Sequence, residues 1–218
     1  MTRPPLDPER FVLANTAPLA PPHVPELRLH LADEAHELWL KTEAELGEIG
    51  LPPPFWAFAW AGGQALARYV LDHPETVRGR RVVDFASGSG LVAIAAARAG
   101  AAAVTAVDVD RFSGAAARLN AALNAVSIDV LVADLVGRTL DVEVLLAGDV
   151  FFDRTMAEAV APWFTDLTQA GIEVLVGDPG RAYLPAEQMT CLASYAVPVT
   201  RALEDAEVKR SRVWRWRD

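Results

Sequence analysis

The sequence has 218 residues, of which 52% are hydrophobic and 22% are charged, and its formal net charge is −9. This length and composition exclude a disordered chain and indicate one globular unit with a sizeable core. The negative charge argues against nucleic acid as a partner, because it repels a phosphate backbone.

Other simple features exclude further classes of protein. The most apolar stretch, 93–109, contains Arg98 and Asp108 and is too short to span a membrane, so we expect no membrane association. The N-terminus lacks the basic and then apolar layout of a secretory signal. The single cysteine, Cys191, favours a reducing compartment, and we predict a cytoplasmic protein with Cys191 in its core. The histidines and this cysteine lack metal-ligand spacing, so we expect no metal.

Residues 1–79 are interpreted as an N-terminal arm and helical cover. Residues 1–24 are rich in proline and predict an irregular segment. The spacing of apolar residues predicts helices at 33–46 and 62–71. Between them, the proline run at 51–56 predicts a stiff, extended segment.

From residue 80 the pattern changes to short apolar runs that alternate with helical stretches. The predicted strands are 81–85, 103–107, 129–132, 142–147, 173–176, 196–200 and 209–216. The predicted helices are 91–99, 112–124, 155–170 and 186–194. We therefore predict that residues 80–218 form one α/β domain with a Rossmann-like, seven-stranded, mostly parallel sheet. Helices would cover both faces, and the C-terminal strand would run antiparallel.

The last predicted strand carries the one basic cluster of the sequence. Basic residues from Lys209 to Arg217 alternate there with Val213, Trp214 and Trp216. This alternation favours an edge strand with a charged solvent face over a nucleic-acid site.

A glycine-rich turn follows the first strand of the predicted sheet. Residues 82–90 read Val-Val-Asp-Phe-Ala-Ser-Gly-Ser-Gly and lead directly into a predicted helix. The small residues Ala86, Gly88 and Gly90 let the backbone turn tightly and let a ligand approach closely. Asp84, near the strand end, is placed to accept a hydrogen bond from a ligand amine or from the turn itself. An ordinary strand-to-helix turn has the same glycines, so the turn alone does not define a ligand.

Acidic residues also end the next two predicted strands. Asp108 stands about twenty residues after the turn, where a Rossmann-type fold holds the hydroxyls of a ribose. The alternative role, capping a helix, suits Asp110 better because Asp110 directly precedes the helix. Asp134 ends the third strand, where it can meet an adenine amino group. Because Asp84 would repel a pyrophosphate but suit the ammonium of methionine, the pattern favours S-adenosylmethionine over a dinucleotide.

Residues 80–148 resemble a class I, seven-strand S-adenosylmethionine-dependent methyltransferase. Two further segments are similar to the lysine methyltransferases of the electron transfer flavoprotein β subunit, which have an Asp-x-x-Tyr/Phe motif after the fourth strand. One is the lead-in at 53–66, Pro-Pro-Phe-Trp-Ala-Phe-Ala-Trp-Ala-Gly-Gly-Gln-Ala-Leu, and the other is Asp-Val-Phe-Phe at 149–152. The likeness runs from about residue 51 to the C-terminus and includes Gly-Asp-Pro-Gly-Arg at 177–181.

The resemblance implies roles for individual residues. For the cofactor it implies Trp60 in the pocket wall, Ala86, Ser87 and Gly88 at the methionine end, Asp108 at the ribose, Asp134 and Leu135 beside the adenine, and Gly148 near the sulfonium. Asp84 and Gly90 of the turn complete this cofactor set. For the lysine channel it implies Asp149 and Phe152. Position 86 departs from the class, which usually has glycine there.

The resemblance implies a protein-lysine N-methyltransferase that uses S-adenosylmethionine, leaves S-adenosylhomocysteine and acts on the electron transfer flavoprotein β subunit. Asp149 would orient the lysine amine, and Phe152 would guide the lysine stem, although core packing is the alternative for one of Phe151 and Phe152. A small-molecule or ribosomal-protein N-methyltransferase stays open. So does a non-catalytic binding protein with this fold, against which the intact Asp84, Asp108 and Asp149 argue.

Overall fold

The computed structural model describes residues 7–32, 54–199 and 206–217. The helix predicted at 33–46 and the first residues of the proline run lie outside these ranges.

The described residues contain a central sheet of seven strands. The strands are β3 (Arg81–Phe85), β4 (Ala103–Asp108), β5 (Asp129–Val132), β6 (Val144–Gly148), β7 (Glu173–Asp178), β8 (Met189–Pro198) and β9 (Val208–Trp216). Their order across the sheet is β5-β4-β3-β6-β7-β9-β8. Strands β3 to β7 run parallel, whereas β9 pairs antiparallel with β7 and β8 pairs antiparallel with β9. The predicted fold class is confirmed.

Helices cover both faces of this sheet because alternate strand residues point to opposite sides. In chain order, the helices that pack on the sheet are α2 (Ala61–Asp72), α3 (Leu91–Arg98), α4 (Arg111–Leu123) and α5 (Arg154–Gln169). On one face, Val82 and Leu146 pack in a cluster with residues of α2 and α3. On the other face, Val83 and Leu145 pack in a cluster with residues of α5. This division places two hydrophobic cores around one sheet.

The chain changes direction across the sheet at β3. It passes from β3 to β4 and β5 on one side and then returns to β6 on the other side of β3. Open α/β sheets bind ligands beside such a switch point, at the carboxyl ends of the strands. The glycine-rich turn after β3 lies at this edge.

The C-terminal hairpin corrects three predictions. The helix predicted at 186–194 is wrong: only Ala186–Gln188 form a single 3₁₀ turn, and β8 then begins at Met189. Strand β9 is not an edge strand, because β8 covers its outer side. Cys191 is exposed on that outer strand rather than buried in the core. In each case pairing with β9, which local sequence does not encode, overrides local propensity.

The N-terminal arm is also more regular than predicted. Helix α1 (Pro8–Asn15) begins at the N-cap Asp7, whose side chain accepts the Glu9 N–H. Strands β1 (Ala17–Leu19) and β2 (Leu29–Leu31) then form a two-stranded antiparallel sheet. Val12 of α1 is buried in a cluster that also holds Trp56 and Phe112. The arm folds because it buries these side chains, despite its prolines.

None of the helices in the described ranges is long and apolar enough to cross a membrane. The same part of the chain contains no group of three or more His, Cys, Asp or Glu side chains able to hold a metal ion.

Candidate active site

A cavity of about 400 Å³ opens at the carboxyl ends of β3, β4 and β6. This volume suits a small-molecule site. Of the residues predicted from sequence, the cavity is lined by Trp60, Asp84, Ala86, Ser87, Gly88, Asp108, Gly148, Asp149 and Phe152. The cavity is also lined by Asp110, which was predicted only as a helix cap, and by Phe55, Gly63, Met156 and Arg181, for which no role was predicted.

The glycine-rich turn and the helix after it are held in place by Asp84, near the end of β3, and by Asp108, at the end of β4. Asp108 Oδ2 accepts the Gly88 N–H at 2.9 Å, and its Oδ1 accepts the Asp110 N–H at 3.0 Å. Asp84 Oδ2 accepts the Ala93 N–H of α3 at 2.9 Å. Asp110 caps α4 by accepting the Phe112 N–H, as predicted. The turn is therefore fixed by the same acids that face the cavity.

Burial makes these carboxylates poorly solvated. The pKa of Asp84 is raised to about 8, mainly by burial and in part by the charge of Asp108, while the hydrogen bond from the Ala93 N–H opposes the shift. Burial also raises the pKa of Asp108, although the N–H groups of Asp110 and Gly88 oppose this. A cation placed in the cavity would favour the ionised form of both acids. The charge of the site thus suits a positively charged ligand.

Close backbone packing brings α2 onto the strand ends beside the cavity. A Cβ on Gly148 would lie 2.8 Å from the Gly63 Cα, and a Cβ on Gly62 would collide with the Gly177 carbonyl. Side chains here would push α2 away from β6 and β7. The glycines therefore let the N-terminus of α2 reach Asp149, which follows β6.

Asp149 lines the cavity, and both of its carboxylate oxygens accept hydrogen bonds. Its Oδ2 accepts the Gly63 N–H at 2.9 Å. Its Oδ1 accepts two hydrogen bonds from Arg181, from Nε at 3.0 Å and from Nη2 at 2.7 Å. The backbone of Asp149 is in the left-handed region, with φ of 57°. These contacts fix the carboxylate. The sequence did not predict the pairing of Arg181 with Asp149, because the two residues are 32 positions apart along the chain.

An aromatic wall forms the mouth of the cavity. Phe55 lies 5.9 Å from Trp60 and 5.4 Å from Phe152, measured between ring centroids. The Trp60 indole N–H donates to the Phe55 carbonyl at 2.9 Å. Phe152 is 45% exposed, whereas Phe151 is fully buried and stacks on Trp216. Of the two phenylalanines, Phe151 thus packs in the core and Phe152 faces the cavity.

Three predicted cofactor residues lie outside the lining of this cavity. Gly90 begins α3 with φ of 77°, and a Cβ there would come within 3.0 Å of the Ala117 Cβ. Asp134 accepts the Val136 N–H, and Leu135 is buried in the core beside α5. Their roles towards the cofactor stay predictions.

Solved structures share this arrangement. The ribosomal protein L11 methylase from Lactobacillus delbrueckii subsp. bulgaricus has a TM-score of 0.51 and 21% identity, with 74% of this chain and 81% of that chain covered. Magnesium protoporphyrin IX methyltransferase from Synechocystis, with bound S-adenosylhomocysteine, has a TM-score of 0.51 and 13% identity, with 72% and 82% covered. The sheet order, with a cavity at its switch point, is therefore that of the class I methyltransferase fold.

The sequence comparisons identify the family. Residues 64–171 match the family described as Ribosomal protein L11 methyltransferase (PrmA). The electron transfer flavoprotein beta subunit lysine methyltransferase of Xenopus laevis is 37% identical over 214 residues, which cover 95% of this chain and 86% of that protein. This chain belongs to the family of those lysine methyltransferases, and it is a methyltransferase. The resemblance drawn from the lead-in and the Asp-x-x-Phe motif is confirmed.

Proposed function

We propose that this methyltransferase transfers methyl groups from S-adenosylmethionine to lysine side chains of an electron transfer flavoprotein β subunit. The observation that carries the proposal is the layout of the cavity. One cavity is lined by desolvated acids beside the glycine-rich turn, by the buried carboxylate of Asp149 and by the exposed aromatic side chain of Phe152. The named activity of the Xenopus laevis relative supplies the substrate.

The residues at the turn fit the proposed cofactor. A Cβ added at Gly88 would find no atom closer than 3.9 Å, so the turn leaves open space on the cavity side. Asp84 is placed for the methionine ammonium and Asp108 for the ribose hydroxyls. Asp134 and Leu135 are proposed for the adenine. When bound, S-adenosylmethionine supplies a methyl carbon that bonds to an amine lone pair while its bond to sulfur breaks and that electron pair stays on sulfur.

The lysine end of the cavity acts by positioning. A lysine must lose its proton before it reacts, because an ammonium nitrogen has no lone pair. Phe152 and Trp60 offer an apolar wall to the lysine stem, and the Asp149 carboxylate accepts a hydrogen bond from the amine. Holding the amine in line with the methyl carbon is worth several orders of magnitude in rate, because the orientation is fixed before the reaction.

The test is mass spectrometry of a purified electron transfer flavoprotein β subunit incubated with the enzyme and S-adenosylmethionine. We expect mass increments of whole methyl groups that map to lysines. Omission of the cofactor is the control. Labelled methyl groups found only on small molecules of an extract would instead indicate a small-molecule enzyme. Cofactor binding without any methyl transfer would indicate a binding protein.

A further inference from the structure

Arg181 is a cation built into the end of the cavity where the substrate lysine is proposed to bind. Its guanidinium donates twice to Asp149 Oδ1 and lies 5.7 Å from the centre of the Trp60 ring. The side chain of Arg181 is 20% exposed and that of Asp149 is 9% exposed. The pair is therefore screened only weakly by solvent. A planar guanidinium suits this double contact better than an ammonium does.

The loop after β7 holds Arg181 in this position. Asp178 Oδ1 accepts the N–H groups of Gly180 at 2.6 Å and Arg181 at 2.7 Å. Gly180 has φ of 91°, which an L side chain rarely adopts. Asp178 is buried, and this burial raises its pKa to about 6. The Gly-Asp-Pro-Gly-Arg motif thus forms a turn that fixes the position of the Arg181 guanidinium.

An unpaired carboxylate beside a lysine would hinder the reaction. A carboxylate within hydrogen-bond reach raises the pKa of an amine by about 1–3 units, since it favours the charged form. Methyl transfer needs the neutral amine. Asp149 can orient the amine without this penalty only if another cation balances its charge.

We propose that Arg181 is a positioning residue that neutralises Asp149, so that the bound substrate lysine reacts as a neutral amine. The inference rests on the proposed function. Arg181 acts through Asp149, which keeps its orientation through the Gly63 N–H on its other oxygen. Asp149 would then direct the amine as a hydrogen-bond acceptor whose charge is already balanced.

Among the described residues, the other charged groups that line the cavity are acids. Asp178, the last residue of β7, lies beside the ion pair, and the charge of Asp149 adds to burial in raising the Asp178 pKa. Asp84, Asp108 and Asp110 line the turn end of the same cavity. In their ionised forms these acids favour a protonated lysine, which adds to the need for a local cation on Asp149.

The test is the pH dependence of kcat, measured with saturating S-adenosylmethionine and electron transfer flavoprotein β subunit. The variants are R181Q, which removes the charge, and R181K, which keeps the charge but not the planar geometry. In R181Q we expect the rising limb of kcat to move up by about 1–3 pH units, the shift expected for an unbalanced carboxylate. The rate at pH 7.5 would then fall about tenfold or more and recover towards pH 10. In R181K the rising limb of kcat should stay at the same pH as in the wild type.

A double variant shows whether Arg181 acts through Asp149. In the D149N background no carboxylate charge remains to be balanced, so R181Q should leave the limb unmoved. The same shift in both backgrounds would overturn the proposal, because Arg181 would then act on the lysine directly. An R181Q loss that is equal at every pH would also overturn it, since a merely structural role predicts that result. Melting temperature and affinity for S-adenosylhomocysteine verify that each variant is folded.

Failure of this inference is distinguishable from failure of the proposed function. A wild-type enzyme that methylates no lysine of the flavoprotein overturns the proposed function, and this inference with it. An active wild type with an unshifted R181Q limb overturns only the role of Arg181.

Discussion

Replacement of Asp149 by asparagine perturbs the site at the group on which both proposals depend. Asparagine tolerates the left-handed backbone found at this position, so backbone strain does not account for the effect. The amide has one acceptor oxygen. If that oxygen keeps the Gly63 N–H, the amide N–H₂ faces the donors of Arg181. If it turns to Arg181, the N–H₂ faces the Gly63 N–H. In either orientation two donors oppose each other.

The magnitude follows from the contacts that are lost. The wild-type carboxylate receives two hydrogen bonds from a guanidinium, and both side chains are largely buried. Hydrogen bonds to charged groups contribute about 1.5–3 kcal/mol each, and the loss of one partner leaves the other charge unpaired. We expect D149N to lower the free energy of unfolding by about 2–4 kcal/mol. For a protein of this size that corresponds to a fall in Tm of about 5–15 °C.

The effect on catalysis should exceed the effect on cofactor binding. Loss of the orienting acceptor should lower the rate of methyl transfer by a factor on the order of a hundred, because the amine is no longer held in line. Affinity for S-adenosylhomocysteine, measured by calorimetry, should stay within about threefold of the wild type, since the predicted contacts of Asp149 are with the lysine.

A matched aspartate serves as the control for D149N. The side chain of Asp141 is 99% exposed and pairs with Arg81 at 3.2 Å on the surface. D141N should therefore change the free energy of unfolding by less than about 0.5 kcal/mol and leave the rate unaltered. A D149N enzyme with the rate and Tm of the wild type would refute the reasoning. It would show that neither the charge of Asp149 nor its pairing with Arg181 contributes to catalysis or stability.

Three further predictions follow from the same geometry. F151A should lower the free energy of unfolding by about 3–5 kcal/mol because Phe151 is fully buried, whereas F152A should lower it by less than about 1 kcal/mol yet slow methyl transfer. Equal effects of the two variants on thermal unfolding and on the rate would contradict the assignment of Phe151 to the core and Phe152 to the cavity. The pKa of Asp84 is raised from 3.8 to about 8, so the folded state binds the extra proton between these values and the free energy of unfolding falls as pH rises through that window. Between pH 5 and pH 8, the free energy of unfolding measured by urea titration should fall less in D84N than in the wild type. An equal fall in both proteins would contradict the raised pKa of Asp84. A86G should raise the free energy of unfolding by up to about 1 kcal/mol without weakening cofactor binding, because Ala86 has φ of 54°; a loss of affinity by calorimetry would show that the alanine methyl contributes to the site.

Local pattern predicted the parallel half of the sheet well. The strand from Arg81 to Phe85 and the strand at 129–132 were predicted with the observed bounds, and α3, α4 and α5 within a residue or so. These elements are marked by runs of apolar residues between turn residues, and in the strand from Arg81 to Phe85 burial on both faces reinforces the same pattern. Because the strands were located correctly, the acids at their ends were also predicted as residues of one site. Parallel strands end at one edge, so side chains that follow them meet there.

The sequence by itself thus determined the parallel half of the sheet, the glycine-rich turn and the acids of the cavity, because each is encoded in a short stretch of chain. Only the tertiary structure decided which strand is the outer one, since pairing of β8 outside β9 depends on distant backbone. It alone distinguished the core residue Phe151 from the cavity residue Phe152. It also brought Arg181 to Asp149 across two loops that follow adjacent strands, β6 and β7. An ion pair of this kind leaves no periodic signal in sequence, because its geometry exists only once β6, β7 and α2 have packed together.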